Sequence, residues 1–116
     1  MEIQCNSTTG TKEKSSIMER IRIMEGVAES LVNAGVEIIN LQVSQPGNFT
    51  YVLLHNCGDE FRQWAEENEL DVSVTPLEPD DPDSGIHWRV GVIVNGIDVH
   101  GYFRDYEKEA WDNAAV

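Results

Sequence analysis

The chain has few basic residues. Eight Lys and Arg oppose 21 Asp and Glu among 116 residues, which gives a formal net charge of −13. Residues 1–22 hold four of those bases, so the remaining 94 residues carry 18 acids against four bases. A surface of this sign repels nucleic acid and anionic lipid. The charge therefore argues against direct binding to nucleic acid or membranes, and it favours a basic protein partner, divalent cations or high-salt surroundings.

Cysteines and long apolar runs are also scarce. Cys5 and Cys57 are the only cysteines and stand in no paired spacing, which favours reduced thiols over a disulfide. Runs such as Val92-Ile93-Val94 are far too short to span a membrane. The N-terminus lacks the basic start and apolar stretch of a secretory signal. We therefore expect a cytoplasmic protein, in the host cell's cytoplasm if it is viral.

No motif of a known chemistry occurs. The sequence has no phosphate-cradling loop, no G-x-S-x-G, no dinucleotide fingerprint and no zinc-ligand spacing. The acidic stretch EPDDPDSGIHW (78–88) fails as a calcium loop, because counting from Asp80 puts Pro82 at position 3 and Gly91 at position 12. We therefore expect no enzymatic activity, no cofactor and no metal.

Local patterns predict one domain over residues 1–116, with 1–15 as a candidate flexible arm. Ser16 and Glu19 form a capping-box pattern and Gly35 a helix stop, so they bound a first helix. Its expected apolar stripe is Ile17, Ile21, Met24, Ala28 and Leu31. A second helix over 59–69, capped by Asn56 or Asp59, would bury Phe61, Trp64 and Ala65. A short helix over about 104–113 would end the chain.

Strands are predicted between these helices. Residues 36–44 alternate with Ile39, Leu41 and Val43 on one half-buried side, and a Pro-Gly turn at 45–48 leads into a strand over 49–55. Residues 70–75 form a further strand with Leu70, Val72 and Val74 inward. If residues 2–5 are also a strand, the order to residue 75 is ferredoxin-like β-α-β-β-α-β. The expected class is α+β, with an antiparallel or mixed sheet, two main helices on one face, and a C-terminal hairpin and short helix.

Asn95-Gly96 predicts a two-residue hairpin whose register can be derived. Val94 opposes Ile97, Val92 opposes Val99, Val90 opposes Gly101 and Trp88 opposes Phe103, which makes that face apolar. The other face pairs Ile93 with Asp98, Gly91 with His100, Arg89 with Tyr102 and His87 with Arg104. This polar face is either an anion-binding pocket, with Gly91 leaving space for a ligand above His100, or the solvent side of an antiparallel sheet.

Acids concentrate between residues 59 and 83, where ten acids face only Arg62. The candidate partner-binding residues are Asp59, Glu60, Glu66, Glu67, Glu69, Glu78, Asp80, Asp81 and Asp83. Pro79 and Pro82 stiffen the last part of this run, which lowers the entropy lost on binding.

A fixed array of carboxylates can occupy a basic groove that normally holds a phosphate backbone. The leading hypothesis is a small acidic, non-enzymatic inhibitor or decoy that blocks a basic nucleic-acid-binding protein of host defence, as viral or mobile-element proteins of the anti-CRISPR or anti-restriction type do. Alternatively, the acids serve solubility, adapt the chain to a salt-loving host or complement its own basic face. A small-anion or metabolite-binding regulatory domain would instead use the polar hairpin face: His87, Arg89, Asp98, His100, Tyr102 and Arg104.

Overall fold

The computed structural model describes residues 17–44, 50–78, 83 and 85–114. The predicted strand at 2–5, the capping residue Ser16 and the Pro-Gly turn lie outside these ranges. The elements are α1 (Ile17–Asn33), β1 (Ile38–Gln42), β2 (Tyr51–Leu54), α2 (Asp59–Glu67), β3 (Ser73–Pro76), β4 (Ile86–Val94), β5 (Ile97–Arg104) and α3 (Asp105–Ala114). The α+β class is confirmed.

The first two helices end in the same way. The N–H groups of Gly35 and Val36 donate to the carbonyls of Val32 and Leu31, and Gly35 has φ +88°. At the end of α2, Glu69 and Leu70 donate to Glu66 and Ala65, and Glu69 has φ +56°. Both ends are Schellman motifs, in which glycine is the preferred residue at the left-handed position. The stop at Gly35 is confirmed, whereas α2 uses a glutamate at the equivalent place.

The buried faces of the helices follow the expected spacing with one correction. Phe61, Trp64 and Ala65 are the buried residues of α2, as predicted. In α1 the buried stripe is Met24, Val27 and Leu31. Ile21 is 43% exposed, so its assignment to that stripe was wrong. The capping prediction for α2 was also wrong, because Gly58 stands at the cap position and no side chain caps the helix.

The five strands form one mixed sheet in the order β1-β2-β5-β4-β3. β2 and β5 run parallel, and every other neighbouring pair is antiparallel. The C-terminal hairpin was expected as an addition to a ferredoxin-like order. In the described sheet its second strand, β5, is instead the central strand and joins β1-β2 to β4-β3.

The β4–β5 register is confirmed over seven of the eight predicted pairs, from Val94 opposite Ile97 to Trp88 opposite Phe103. Asn95 and Gly96 have φ +51° and +82°, as a type I′ turn requires. The eighth pair was wrong, since Ile86 rather than His87 lies opposite Arg104. An irregularity between Ile86 and Trp88 inserts one residue, which changes the pairing beyond it.

β1 differs from its predicted half-buried pattern. Ile39 is 57% and Leu41 45% exposed, whereas Ile38 and Val43 pack against the core. The register with β2 shifts between Ile38 and Asn40, so the alternation is broken at Ile39. Leu41 lies opposite the buried Val52 and so shares the core face, but it sits at the edge of the described sheet.

All three helices pack against one face of the sheet. Side chains of α1, α2, β2 and the inward face of the hairpin form a single core, and Trp111 of α3 packs against it. Phe61 and Phe103 lie 6.1 Å and 5.6 Å from the Trp111 ring. The opposite sheet face carries the polar side of the hairpin and is covered by no described helix. No helix among the described residues is long and apolar enough to cross a membrane.

Candidate acidic interaction surface

The outward face of α2 is acidic. At roughly 100° per residue, Asp59, Glu60, Glu66 and Glu67 fall on the side of the helix opposite Phe61 and Ala65. All four carboxylates are exposed, as are Glu69 and Asp71 in the turn that follows. The structure therefore brings four predicted residues onto one face of the two and a half turns of α2, and Glu69 follows just beyond the helix.

The one base within this run, Arg62, does not neutralise it. The Arg62 guanidinium donates to the Trp111 carbonyl and lies 3.8 Å from the centroid of the Trp111 ring. That contact holds the cation against α3, at the border of the acidic face, since Arg62 follows Asp59 by three residues and precedes Glu66 by four. Arg62 therefore serves helix packing, and it forms no ion pair with Glu66 or Glu67.

The carboxylates of this surface form no ion pairs within the described part of the chain. Across the described part of the chain, no cation lies within ion-pair distance of Asp59, Glu60, Glu66, Glu67 or Glu69, and Glu67 accepts only a hydrogen bond from Gln63. The other bases past α1 are engaged elsewhere. Arg89 pairs with Asp98, Lys108 pairs with Asp112, and Arg104 packs its stem over Gly85. Among the described residues, no basic side chain therefore forms an ion pair with the acidic face of α2.

Helix stability explains Asp59 and Glu60, which lie in the first turn of α2 near the positive end of the helix dipole, but not the other three positions. Glu66 and Glu67 lie in the last turn of α2, which has no basic residue, so they add negative charge to the negative end of the helix dipole. Glu69 adopts the left-handed backbone that an L side chain with a Cβ rarely favours. Carboxylates at these three places therefore do not stabilise α2.

The second part of the predicted array is only partly described. Glu78 is exposed and has no ion-pair partner among the described residues, and Asp83 is exposed. Asp80 and Asp81 lie outside the described residues.

The polar face of the hairpin brings Arg89, Asp98 and His100 together. Arg89 Nη2 lies 2.7 Å and 2.5 Å from the two carboxylate oxygens of Asp98, reaching across Gly91. His100 Nδ1 lies 3.3 Å from Asp98 Oδ1, with a side chain only 12% exposed. The two residues were expected to be too far apart for a direct hydrogen bond without side-chain reach. The Asp98 side chain brings Oδ1 within ion-pair distance, but the buried His100 Nδ1 has no hydrogen-bond partner among the described residues.

A cleft of about 440 Å³ is lined by Arg89, Gly91 and Asp98, but the space directly above His100 is occupied. A Cβ placed on Gly91 would lie 3.3 Å from Arg89 Nη1 and 2.9 Å from the His100 Cβ, so the expected space is filled by the protein's own side chains. The rings of Tyr51 and Tyr102 flank His100 at 5.7 Å and 5.6 Å. Because Asp98 already holds the Arg89 guanidinium, an external anion would have to displace a carboxylate.

The remaining predicted members of this face lie apart from it. His87 Nδ1 is 3.1 Å from Asp105 Oδ2, and Trp88 Nε1 donates to Asp105 Oδ1 at 3.0 Å. The hydrogen bond from Trp88, then that from His87, lowers the pKa of Asp105 from its ordinary value. The Arg104 N–H donates to Glu107 at 2.8 Å, which caps α3. His87 and Arg104 therefore contact the first turn of α3.

Sequence reasoning missed one cleft of about 370 Å³ between the start of α2 and α3. Arg62, Tyr106 and Trp111 line it, and the buried Cys57 lies at its base. Burial, with a smaller effect of Glu107, raises the pKa of the Cys57 thiol to about 12, so the thiolate that acts as a nucleophile or metal ligand is disfavoured. The spacing of Arg62 and Trp111 carried no signal for this contact. The described residues also contain no group of three or more His, Cys, Asp or Glu side chains suited to a metal ion.

A scan against protein-family models finds no match, and searches for similar curated proteins and similar solved structures find none either. The site is therefore interpreted from its own geometry.

Proposed function

We propose that this chain is a small non-enzymatic protein that binds a basic protein through the acidic surface formed by Asp59, Glu60, Glu66, Glu67 and Glu69. The observation that carries the proposal is the position of Arg62. The only cation of the run is held against Trp111, so the carboxylates remain uncompensated and exposed on a short, well-packed helix.

The partner class follows from the chemistry of such a surface. Rigidly presented carboxylates match a groove whose Lys and Arg side chains normally contact phosphates. The proposed activity is therefore a decoy that occupies the nucleic-acid site of a basic protein in the cytoplasm, with Glu78, Asp80, Asp81 and Asp83 extending the array. A viral or mobile-element inhibitor of host defence is the biological setting that this activity fits.

The test compares two variants of equal net charge. Glu60→Gln, Glu66→Gln and Glu67→Gln together remove three charges from the acidic face of α2. Glu25→Gln, Glu29→Gln and Glu109→Gln together remove three exposed charges from α1 and α3. Each form is used as bait in a cell lysate, and the captured proteins are identified. Double-stranded DNA is then added to the complexes, and the fraction of captured protein that it displaces is measured.

We expect the wild-type protein and the α1/α3 variant to capture basic nucleic-acid-binding proteins that DNA displaces. The α2 variant should lose at least about 90% of that capture, because charge pairs in a polar interface govern both encounter and specificity. Equal loss of capture in the two variants would show that binding depends on net charge and not on the acidic face of α2. Captured protein that DNA does not displace would contradict the decoy mechanism.

A further inference from the structure

The cleft between the start of α2 and α3 has the size and the lining of a small-molecule binding site. Its volume is about 370 Å³, which falls at the lower end of the roughly 300–1,000 Å³ that ligand pockets occupy. The rings of Phe103, Tyr106 and Trp111 form part of its wall. Such pockets are lined mainly by apolar and aromatic side chains with a few polar groups, and some lie between helices. The cleft therefore suits a small molecule with an aromatic ring.

Small residues keep this space open. Gly58 precedes α2, and Ala110 and Ala114 lie one turn apart on the side of α3 that lines the cleft. With one side-chain carbon or none, these residues cannot fill the gap between the two helices. The contact of Arg62 with the ring and the carbonyl of Trp111 joins the same two helices and fixes their separation. The cleft is therefore a feature of helix packing.

The floor of the cleft is apolar and chemically inert. Cys57 is only 3% exposed. Its burial raises the pKa of the thiol to about 12, with a smaller contribution from Glu107. The thiol therefore stays protonated at neutral pH, and a buried free cysteine behaves as a small hydrophobic residue. This floor favours reversible contact with an apolar ring over covalent or metal chemistry.

One aromatic wall of the cleft is left uncovered. Tyr106 is 67% exposed, whereas Phe103 is buried. The Trp111 ring is held by its contacts with Phe61, Phe103 and Arg62. A flat ring that covers Tyr106 removes apolar surface from water and gains ring–ring contact. The exposed tyrosine beside a fixed tryptophan is thus the part of the cleft that a ligand ring would cover.

The charges around the cleft select against anions. Asp59 and Glu107 line it together with one base, Arg62, whose guanidinium lies against Trp111. No cation among the described residues lies within ion-pair distance of either carboxylate. The whole chain also carries a net charge of −13, so its field repels a negatively charged ligand. A neutral or positively charged molecule is therefore favoured.

We propose that this cleft binds a small aromatic molecule that carries no negative charge, with the ring of the ligand held among Tyr106, Phe103 and Trp111 above Cys57. This site is additional to the proposed binding of a basic protein. It can be tested on the isolated full chain, so either proposal can fail without the other.

Three probes that share one ring system test the site. Indole is neutral, tryptamine is positively charged and indole-3-acetate is negatively charged at neutral pH. Each is titrated into the full-length, ¹⁵N-labelled protein while the side-chain N–H signals of the three tryptophans are followed by NMR. The signal of Trp111, identified from its loss in Trp111→Phe, reports on the cleft. The signals of Trp64 and Trp88 are internal controls, because these N–H groups donate to Ser30 and Asp105 outside the cleft.

We expect indole and tryptamine to shift the Trp111 signal saturably and to leave the Trp64 signal in place. Indole-3-acetate should bind at least about tenfold more weakly than tryptamine at low salt, since repulsion by the acidic chain is least screened there. A shift confined to Trp88, or no saturable shift of Trp111 with indole or tryptamine, overturns the proposal. Tightest binding by indole-3-acetate overturns the charge that we assign to the ligand.

A matched pair of variants tests the position of the ligand. Ala110→Leu adds an apolar side chain on the wall of the cleft, and Asn113→Leu adds the same side chain at an exposed position of α3 that does not line it. Both positions are exposed and neither change alters the net charge. Ala110→Leu should weaken indole binding by at least about tenfold, whereas Asn113→Leu should leave the Kd within about threefold of wild type. Equal effects of the two variants, with both folded by circular dichroism, place the ligand elsewhere and overturn the proposal.

Discussion

Asp105 shows how one exposed carboxylate can make stability depend on pH. Its two oxygens meet Trp88 Nε1 and His87 Nδ1, and these contacts lower its pKa in the folded state. A carboxyl group with a depressed folded pKa stabilises the fold above its ordinary pKa, and this contribution is lost as the pH falls through the folded value.

We therefore predict that Asp105→Asn lowers the free energy of unfolding at neutral pH and that its difference from wild type shrinks towards zero in acid. Urea unfolding measured from pH 7 down to about pH 2 checks this, since the difference should fall as the carboxyl group becomes protonated. Glu109→Gln, an exposed residue of α3 with no described partner, is the control and should show little change. If the loss of unfolding free energy in Asp105→Asn stays constant into acid, the loss comes from the changed shape of the side chain and not from its charge.

Gly101 is required for a different reason, which is space. A Cβ at this buried position would lie 2.6 Å from the Cys57 Sγ and 3.3 Å from the Leu54 carbonyl oxygen. We predict that Gly101→Ala costs about 1–3 kcal/mol of unfolding free energy, as overpacking in cores does. The cost should be smaller in a Cys57→Ala background, because the closest atom is then absent.

A double-mutant cycle by denaturant unfolding measures that difference. Gly26→Ala is the control, because a Cβ there meets nothing within 4 Å and the position is helical. It should stabilise the protein by about 0.5–1 kcal/mol. If Gly101→Ala costs the same unfolding free energy in both backgrounds, the steric clash is with Leu54 and not with Cys57.

At the scale of elements, the ends of α1 and α2 form a natural comparison. Both are Schellman motifs, but Gly35 occupies the left-handed position in α1 and Glu69 occupies it in α2. We predict that Glu69→Gly stabilises the protein by about 0.5–1 kcal/mol, since glycine adopts this backbone without steric cost. Gly35→Ala should destabilise it by a similar amount.

Thermal unfolding of the two variants checks this pair, and Glu69→Gln separates backbone strain from charge. If Glu69→Gln stabilises the protein as much as Glu69→Gly, repulsion among the α2 carboxylates is the dominant cost. Either result would mean that Glu69 reduces the stability of the fold at this position.

For the molecule as a whole, the uneven charge makes the proposed binding of a basic partner depend on salt. Binding through α2 depends on attraction between unlike charges, so salt weakens it. We expect capture of the partner to fall as the salt concentration rises from about 0.01 M to about 1 M, because the Debye length falls from about 30 Å to about 3 Å. Capture that does not change across this range would contradict an electrostatic interface.

Much of the local structure could be predicted because it depends on neighbouring residues. Asn95-Gly96 permits φ > 0 at both central positions of a tight hairpin, and the period of two then determines the pairing of β4 with β5. The spacing of Phe61, Trp64 and Ala65 determines the buried face of α2 in the same way, and with it the acidic outer face. The breaks in that pattern, at Ile39 and His87, occur where one residue is inserted into a strand.

The sequence by itself determined the α+β class, the hairpin register, the inward face of α2 and the excess of acid between residues 59 and 83. Only the tertiary structure decided that β5 lies between β2 and β4, that Arg62 is held by Trp111, and that Asp98 takes the Arg89 guanidinium. These contacts join residues distant in the chain or diagonal across a sheet, and no local period encodes them. Because a charge is most available to a partner when its own fold leaves it unpaired, the proposed binding surface depends on those long-range contacts.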